Sequence, residues 1–335
     1  MVMYFTEGSE MKIATVGSSW ITEKFLSGAL GTGKIELEAV YSRSEEKGRA
    51  FAQKYGTEKI YTSLEEMAND GAIDGVYIAS PNRLHFEQSM HFLTHGKNVI
   101  CEKPATTTES EMREVIKTAK NRNLIYTEAI MPMYVPAFST LKSAVDEIGK
   151  IRTCNIVYCQ LSSKYPALLR GENPNIFNPE MHTGALADIG VYNVFVAAGL
   201  FGEPNKITSK CTFLDTGADG QGTAILTYGD MSVNLIFSKV GQSYSPSEII
   251  GDEGTISIGS VSLLTGIDLT QNGERKNLVP ENISRDEIMG AEASAFADAV
   301  NGNADAIGKI DRVNETALIV RRICDEIRRQ NSFPF

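Results

Sequence analysis

The 335-residue sequence predicts an α/β protein: a doubly wound parallel sheet, followed by an α+β domain with a large, mostly antiparallel open sheet. Three observations predict it. From Lys12 to about residue 130, short apolar runs alternate with amphipathic stretches, the pattern of βαβ units around a buried parallel sheet. Beyond that point strands follow one another with few helices between them. There Met231, Val233, Leu235 and Phe237 alternate with Ser232, Asn234, Ile236 and Ser238, so one face is apolar and the other mostly polar. The length itself corresponds to about two domains at roughly 150 residues each.

Strands are expected over 12–16, 35–41, 75–79, 98–101 and 124–127, with helical periodicity in 64–69, 84–94 and 109–120 between them. They define a first domain at 11–130, whose ligands belong at the carboxyl ends of its strands. The second domain, 131–335, is expected to contain a strand over 152–161 and a hairpin joining 223–228 to 231–238 through Gly229-Asp230. A further hairpin falls in 249–256. Helices are expected over 184–200 and 291–300, with a terminal helix over 313–329 that is free to pack back on the first domain. Residues 1–10 read as an unstructured extension or an alternative start.

With 42 Asp+Glu against 32 Lys+Arg, the net charge of −10 argues against a nucleic-acid partner or an anionic membrane surface, both of which call for a basic face. The 42% hydrophobic and 22% charged fractions are those of an ordinary globular protein. Five cysteines, an odd number without CxxC spacing, fit scattered thiols in a reducing compartment, and none reads as a metal ligand. No leader is visible, because Glu7 and Glu10 precede the first basic residue, Lys12. The longest nearly apolar stretch, 191–201, contains Asn193 and is too short to span a bilayer. A soluble, cytoplasmic protein is expected.

The first strand runs into Gly17-Ser18-Ser19-Trp20-Ile21-Thr22. A dinucleotide-binding turn would show GxGxxG there, and only the first glycine survives. That is the position where the backbone must bend most sharply over the helix N-terminus that receives a pyrophosphate. Ser19 is placed to approach the phosphate, with Trp20 and Ile21 beside it. A plain strand-helix turn is the bland alternative, and its place at the start of the first βαβ unit favours a dinucleotide. After the second strand come Ser42, Arg43 and Ser44, where NAD enzymes often carry an acid for the ribose 2′-hydroxyl. A guanidinium in place of a carboxylate favours NADP over NAD, since Arg43 with Ser42 can pair with a 2′-phosphate. Adenine stacking or simple solvation are the alternatives for Arg43.

Three further segments narrow the identification. Ser80-Pro81-Asn82 with His85 follows the strand at 75–79, and Cys101-Glu102-Lys103-Pro104 comes at the end of the strand at 98–101. Gly184-Ala185-Leu186-Ala187-Asp188-Ile189-Gly190-Val191-Tyr192-Asn193 opens the long helix of the second half. Together they resemble the glucose-fructose oxidoreductase/inositol dehydrogenase (Gfo/Idh/MocA) family over nearly the whole chain. The segment from Asn173 to Pro179 is similar to that family's loop over the substrate. Tyr192 stands where many members have His, which resembles the xylose and dihydrodiol dehydrogenase branch.

The resemblance implies a Rossmann domain and an NAD(P)-dependent dehydrogenase acting on CH–OH groups of a sugar, polyol or related hydroxy-carbonyl compound. It also implies a cis Lys103–Pro104 bond, with Gly17, Ser19, Trp20, Ile21, Ser42, Arg43, Ser80, Pro81, Asn82, His85, Glu102 and Lys103 around the cofactor. Tyr192 is expected as the acid/base, Lys103 as the group polarising the reacting oxygen, and Asp188 as orienting the pair or the substrate. Four residues apart, Asp188 and Tyr192 share a helix face, and a nearby cation favours the phenolate of Tyr192. Tyr165, Asn175 and His182 are further substrate-binding candidates. His91 and His95 read as a solvated face, and no metal is expected. A homodimer or homotetramer through the second sheet is expected. Two rivals remain: a catalytically silent dinucleotide- or sugar-binding regulator on the same fold, and an enzyme that retains its nicotinamide between two sugars.

Overall fold

The computed structural model describes residues 10–334 and divides into two compact units, residues up to 134 with 284–315, and 135–283 with the residues from Thr316. The extension expected at 1–10 lies outside the described residues, apart from Glu10.

The first unit is built from β1 (Met11–Val16), α1 (Trp20–Gly31), β2 (Ile35–Tyr41), α2 (Glu45–Gln53), β3 (Ile60–Tyr61), α3 (Leu64–Ala68), β4 (Gly75–Ile78), α4 (His85–Thr94), β5 (Asn98–Glu102), α5 (Glu109–Asn121) and β6 (Tyr126–Ala129). The strands form one parallel sheet in the order β3-β2-β1-β4-β5-β6. The direction in which successive strands are added reverses between β1 and β4, which opens a crevice at the carboxyl ends of those strands. β1, β4 and β5 are buried on both faces, as near-continuous apolar runs require, and β6 is buried as well. Two details differ from the sequence reading. The edge strand β3 has only two residues, too few to show a period. The last strand begins at Tyr126 and not at Leu124, because Asn123 turns the chain at φ 55° and Asn98 Oδ1 accepts the Ile125 N–H at 2.8 Å.

α9 (Arg285–Val300) and the first part of α10 (Ala304–Asn331) belong to this unit, additions that a linear division at residue 130 does not contain. α9 packs on α1 through Gly28 and Gly290: a Cβ on Gly28 would meet the Asp286 carbonyl oxygen at 2.5 Å and the Gly290 nitrogen at 2.7 Å. The N-cap of α9, Ser284, accepts the Asp286 N–H, so the helix starts six residues before the apolar pattern that reveals it at 291.

The second unit contains α6 (Pro136–Val145), β7 (Ile151–Cys159), α7 (Tyr165–Leu169), α8 (Val191–Phe201), β8 (Lys206–Phe213), β9 (Asp219–Tyr228), β10 (Met231–Ser238), β11 (Ser247–Gly251), β12 (Thr255–Ser260), β13 (Thr265–Gln271), β14 (Glu274–Val279) and the end of α10. Its eight strands run β14-β13-β12-β11-β7-β10-β9-β8, antiparallel except for the parallel pair β7/β10. The expected hairpin turns at Gly229-Asp230, with Tyr228 opposite Met231. Val233, Leu235 and Phe237 are buried while Ile225 and Ile236 are exposed, which is the alternation of a sheet covered on one face. One segment among the described residues, Pro179–Phe201, is long and apolar enough to cross a membrane by length and composition. Most of it is buried inside the protein, as a core helix is.

Candidate active site

In the first unit the sequence-predicted residues converge on one edge of the parallel sheet. Gly17 ends β1 with φ +112°, and a Cβ there would come within 2.7 Å of the Ala79 carbonyl oxygen after β4, so the close approach of these two strand ends admits only glycine. Ser19 is the N-cap of α1 and makes no side-chain cap bond, which leaves its hydroxyl and the first amides of the helix for an anion. Trp20 is more than half exposed, with the Arg285 guanidinium 5.6 Å from its ring centre, and Ile21 is partly exposed. At the end of β2, Ser42 Oγ accepts the Ser44 N–H, and the Ser44 hydroxyl accepts the Lys47 N–H to cap α2. Arg43 is exposed and makes no hydrogen bond or ion pair with any other described residue. These groups fit a phosphorylated dinucleotide: a glycine cradle, an uncapped helix N-terminus and an unpaired guanidinium.

Ser80, Pro81 and Asn82 follow β4, where Ser80 Oγ donates to Gln88 Oε1 at 2.7 Å. Lys103 follows β5, half-buried, and the Lys103–Pro104 bond is cis, as the resemblance implies. Two residues expected at the cofactor are buried and support the loops around it. His85 is buried, its Nε2 2.8 Å from the Ser80 carbonyl oxygen and its Nδ1 2.9 Å from that of Pro104, so it holds the two loops together from beneath. Glu102 is also buried, accepting the Tyr77 hydroxyl at 2.7 Å and the Lys103 N–H at 3.2 Å. Burial pushes its carboxyl up, opposed by the Tyr77 hydroxyl and the Lys103 cation. Beneath it, Glu292 of α9 is fully buried and pushed well above the usual range by burial and by Glu102. Met131, Met133 and Tyr134 are core, with the Tyr134 hydroxyl bonded to Thr127 and to the Glu128 carbonyl.

In the second unit the motif containing Asp188 and Tyr192 is not a simple α-helix. Leu186–Gly190 forms a π-turn that runs into α8, a widening found often at functional sites. Its position on the sheet is fixed residue by residue. Asn193 is fully buried and donates from Nδ2 to the carbonyls of Ile156 on β7 (3.2 Å) and Ile236 on β10 (2.9 Å). Gly190 lies against the Phe237 ring, which a Cβ would meet at 3.0 Å. Tyr192 is nearly buried, edge-on to Tyr158 at 5.9 Å between ring centres.

Two residues of this site were not read from the sequence. Lys239, directly after β10 and buried, pairs with Asp188: Nζ to Oδ2 is 2.8 Å. Asp219, the first residue of β9, accepts the Leu186 N–H at 2.6 Å, and a Cβ on Gly184 (φ +132°) would overlap its carboxylate. The only sequence signals were a lysine ending an otherwise apolar-patterned strand and an acid beginning one. Tyr165, Asn175 and His182 share a loop cluster. Tyr165 is edge-on to Phe177, the Thr183 hydroxyl donates to the Asn175 carbonyl at 2.5 Å, and His182 is held at φ 52°.

Comparisons with known proteins show the family. Residues 11–130 match the model of the oxidoreductase family with an NAD-binding Rossmann fold, GFO_IDH_MocA, and 138–257 match a GFO/IDH/MocA C-terminal domain. The chain is 39% identical to the uncharacterized oxidoreductase YgjR of Escherichia coli (strain K12), over 97% of this chain and 98% of that protein. It belongs to the Gfo/Idh/MocA family. Another member, scyllo-inositol 2-dehydrogenase (NADP(+)) IolU of Bacillus subtilis (strain 168), is 37% identical over 96% of the chain and 97% of its own length. A trans-1,2-dihydrobenzene-1,2-diol dehydrogenase of Xenopus tropicalis is 29% identical over 73% of each. Among solved structures, KijD10, a 3-ketoreductase from Actinomadura kijaniata in complex with NADP and TDP-benzene, shares the fold with a TM-score of 0.83 and 21% identity, over 96% of this chain and 98% of that one. As a Gfo/Idh/MocA member, the protein is an NAD(P)-dependent dehydrogenase.

Burial pushes the Asp219 carboxyl from 3.8 up to about 7. The folded chain therefore binds this proton more tightly than the unfolded one. The stability it contributes is complete below about pH 3.8 and is lost as the pH rises to about 7. Scanning calorimetry of the wild type between these limits should show Tm falling more steeply with pH than in Asp219→Asn, which has no proton to lose. Parallel profiles would show that Asp219 titrates alike in both states.

Proposed function

We propose that the protein transfers hydride between NADP(H) and a CH–OH carbon of a sugar, polyol or related hydroxy-carbonyl compound. The 2′-phosphate form is favoured over NAD(H). The first unit holds the dinucleotide, and the second binds substrate and forms the oligomer. The observation that carries this reading is that each unit prepares its own half of a proton-handling set. One presents Lys103 at a strand's carboxyl end, and the other holds Asp188 and Tyr192 on an anchored π-turn and helix. A regulator without chemistry has no need of either half. The names of the relatives IolU and dihydrodiol dehydrogenase support the substrate class.

Bound nicotinamide supplies the hydride donor or acceptor. Gly17, Ser19 and the α1 amides bind the pyrophosphate, and Ser42 and Arg43 bind the 2′-phosphate. Ser80, Pro81 and Asn82 line the crevice, with Trp20 and Ile21 at its rim. Tyr192 passes a proton to or from the reacting oxygen at its hydroxyl, and the Lys103 ammonium stabilises the charge that develops there. Asp188, tied to Lys239, orients the substrate hydroxyl, and Tyr165, Asn175 and His182 contact the rest of the substrate. Five cysteines that form no disulfide among the described residues, and the net charge of −10, support a soluble, cytoplasmic location.

Screening aldoses, polyols and 1,2-diols with both cofactors should identify a substrate through the NADPH absorbance. On it, Lys103→Met and Tyr192→Phe should each lower kcat about 10²–10⁴-fold with little change in dinucleotide affinity. Wild-type turnover in either variant would remove that residue from the mechanism. Arg43→Ala should raise KM for NADPH about 10–100-fold, the worth of one charge-assisted contact, and leave NADH almost unaffected. Equal affinity of the wild type for both cofactors would overturn the NADP preference. The outward sheet face, with Ile225 and Ile236 exposed among polar neighbours, supports a homodimer or homotetramer. Light scattering should give two or four times 36.6 kDa, a mass that Ile225→Glu/Ile236→Glu reduces, whereas a monomeric wild type would refute it.

A further inference from the structure

We propose that Glu65, His91 and His95 form a surface site for a divalent transition-metal ion of the zinc class, distinct from the dehydrogenase chemistry. The sequence His-Phe-Leu-Thr-His lacks the glutamate that would complete a metal motif on one helix, but folding brings a carboxylate from another. Glu65 of α3 meets His91 of α4 and His95 at its C-cap, and one ligand atom from each lies within 4.8 Å of the others.

The spacing is looser than that of a tight ion pair and close to that of metal ligands, although the 3.3 Å His95–Glu65 contact also lies within hydrogen-bond range. His95 Nε2 is 3.3 Å from Glu65 Oε1, and His91 Nε2 is 3.7 Å from Oε2. Ligands about 2.0–2.2 Å from a tetrahedral zinc ion stand about 3.3–3.6 Å apart, whereas a charge-assisted N–H···O bond draws its atoms to about 2.7–2.9 Å. The ligands are also oriented. His95 Nδ1 lies 2.8 Å from the His91 carbonyl oxygen, to which it donates, and this contact aims the ring's Nε2 at Glu65. Asn69 Nδ2 donates to Glu65 Oε1 at 3.0 Å and to the Glu65 carbonyl at 2.9 Å, fixing the carboxylate. His91 Nε2 is buried without a hydrogen-bond partner.

The electrostatics agree in sign. His91 and His95 sit at the C-terminal end of α4, where the helix dipole favours a cation. Arg122, which donates to the Thr94 carbonyl, is the opposing charge on this turn. Two imidazoles and one carboxylate suit zinc, cobalt, nickel or copper over magnesium or calcium, with water completing the tetrahedron. His95 lies three residues before β5 begins, at the end of the strand opposite Lys103, so the ion would clasp α3 to α4 and touch no reacting atom.

Titration of chelator-stripped full-length protein with zinc chloride by calorimetry should give one ion per chain with a Kd in the micromolar range. His95→Asn, at a partly exposed position, and Glu65→Gln, at an exposed one, should each weaken it at least tenfold with unchanged far-ultraviolet circular dichroism. Cobalt should give the intense visible bands of a tetrahedral site in the wild type alone. If no saturation is reached by about 1 mM zinc, or if both variants bind as tightly as the wild type, the site is an imidazole–carboxylate pair and the proposal fails.

Discussion

The arrangement of the second unit depends on the amide of Asn193. Its two N–H groups reach backbone carbonyls on β7 and β10, the one parallel pair in an otherwise antiparallel sheet. Parallel neighbours present their carbonyls in a regular slant, so a single side chain from above can satisfy one on each. A fully buried donor pair of this kind is costly to leave unmade, at about 1–3 kcal/mol per group. That makes the height and rotation of α8 a single solution. Gly190 against Phe237 sets the distance, and the Asp219 carboxylate on the Leu186 amide sets where the helical segment begins. Asp188 and Tyr192 inherit their directions from these three anchors.

The first unit shows the same separation between side chains that face a ligand and those that shape the loops facing it. Glu102 and His85 are buried, and they bind the Lys103–Pro104 turn to the Ser80 loop and to Tyr77 beneath. Tyr77 in turn stacks on Phe25 of α1 at 3.7 Å, which ties the turn after β5 to the helix whose N-terminus follows Gly17. The two binding loops are therefore supported by one continuous set of buried contacts.

Much of this was legible in the sequence, because periodicity and turn chemistry are local. The runs of β1, β2, β4 and β5 and the Gly229-Asp230 hairpin need only neighbouring residues to be read, and the Gly17, Lys103 and Asp188 motifs are contiguous. What escaped is held together over long separations. Lys239 meets Asp188 across 51 residues of chain and Asp219 meets Leu186 across 33, and nothing in either neighbourhood names its partner. Glu65 is likewise hidden from the histidines of α4. The two-residue β3 has too little sequence to carry any period, and the start of α9 is set by the Ser284 cap, upstream of its apolar pattern.

The close approach of Gly28 and Gly290 also bears on the order in which the protein is made. The first unit is discontinuous: after Tyr134 the chain lays down all of the second sheet before Ser284 returns it to α1. A nascent chain carrying all six strands of the parallel sheet still lacks the helix that covers α1, and about 150 more residues must be synthesised before it emerges. The dinucleotide half of the enzyme, first to be translated, is thus among the last parts to be completed.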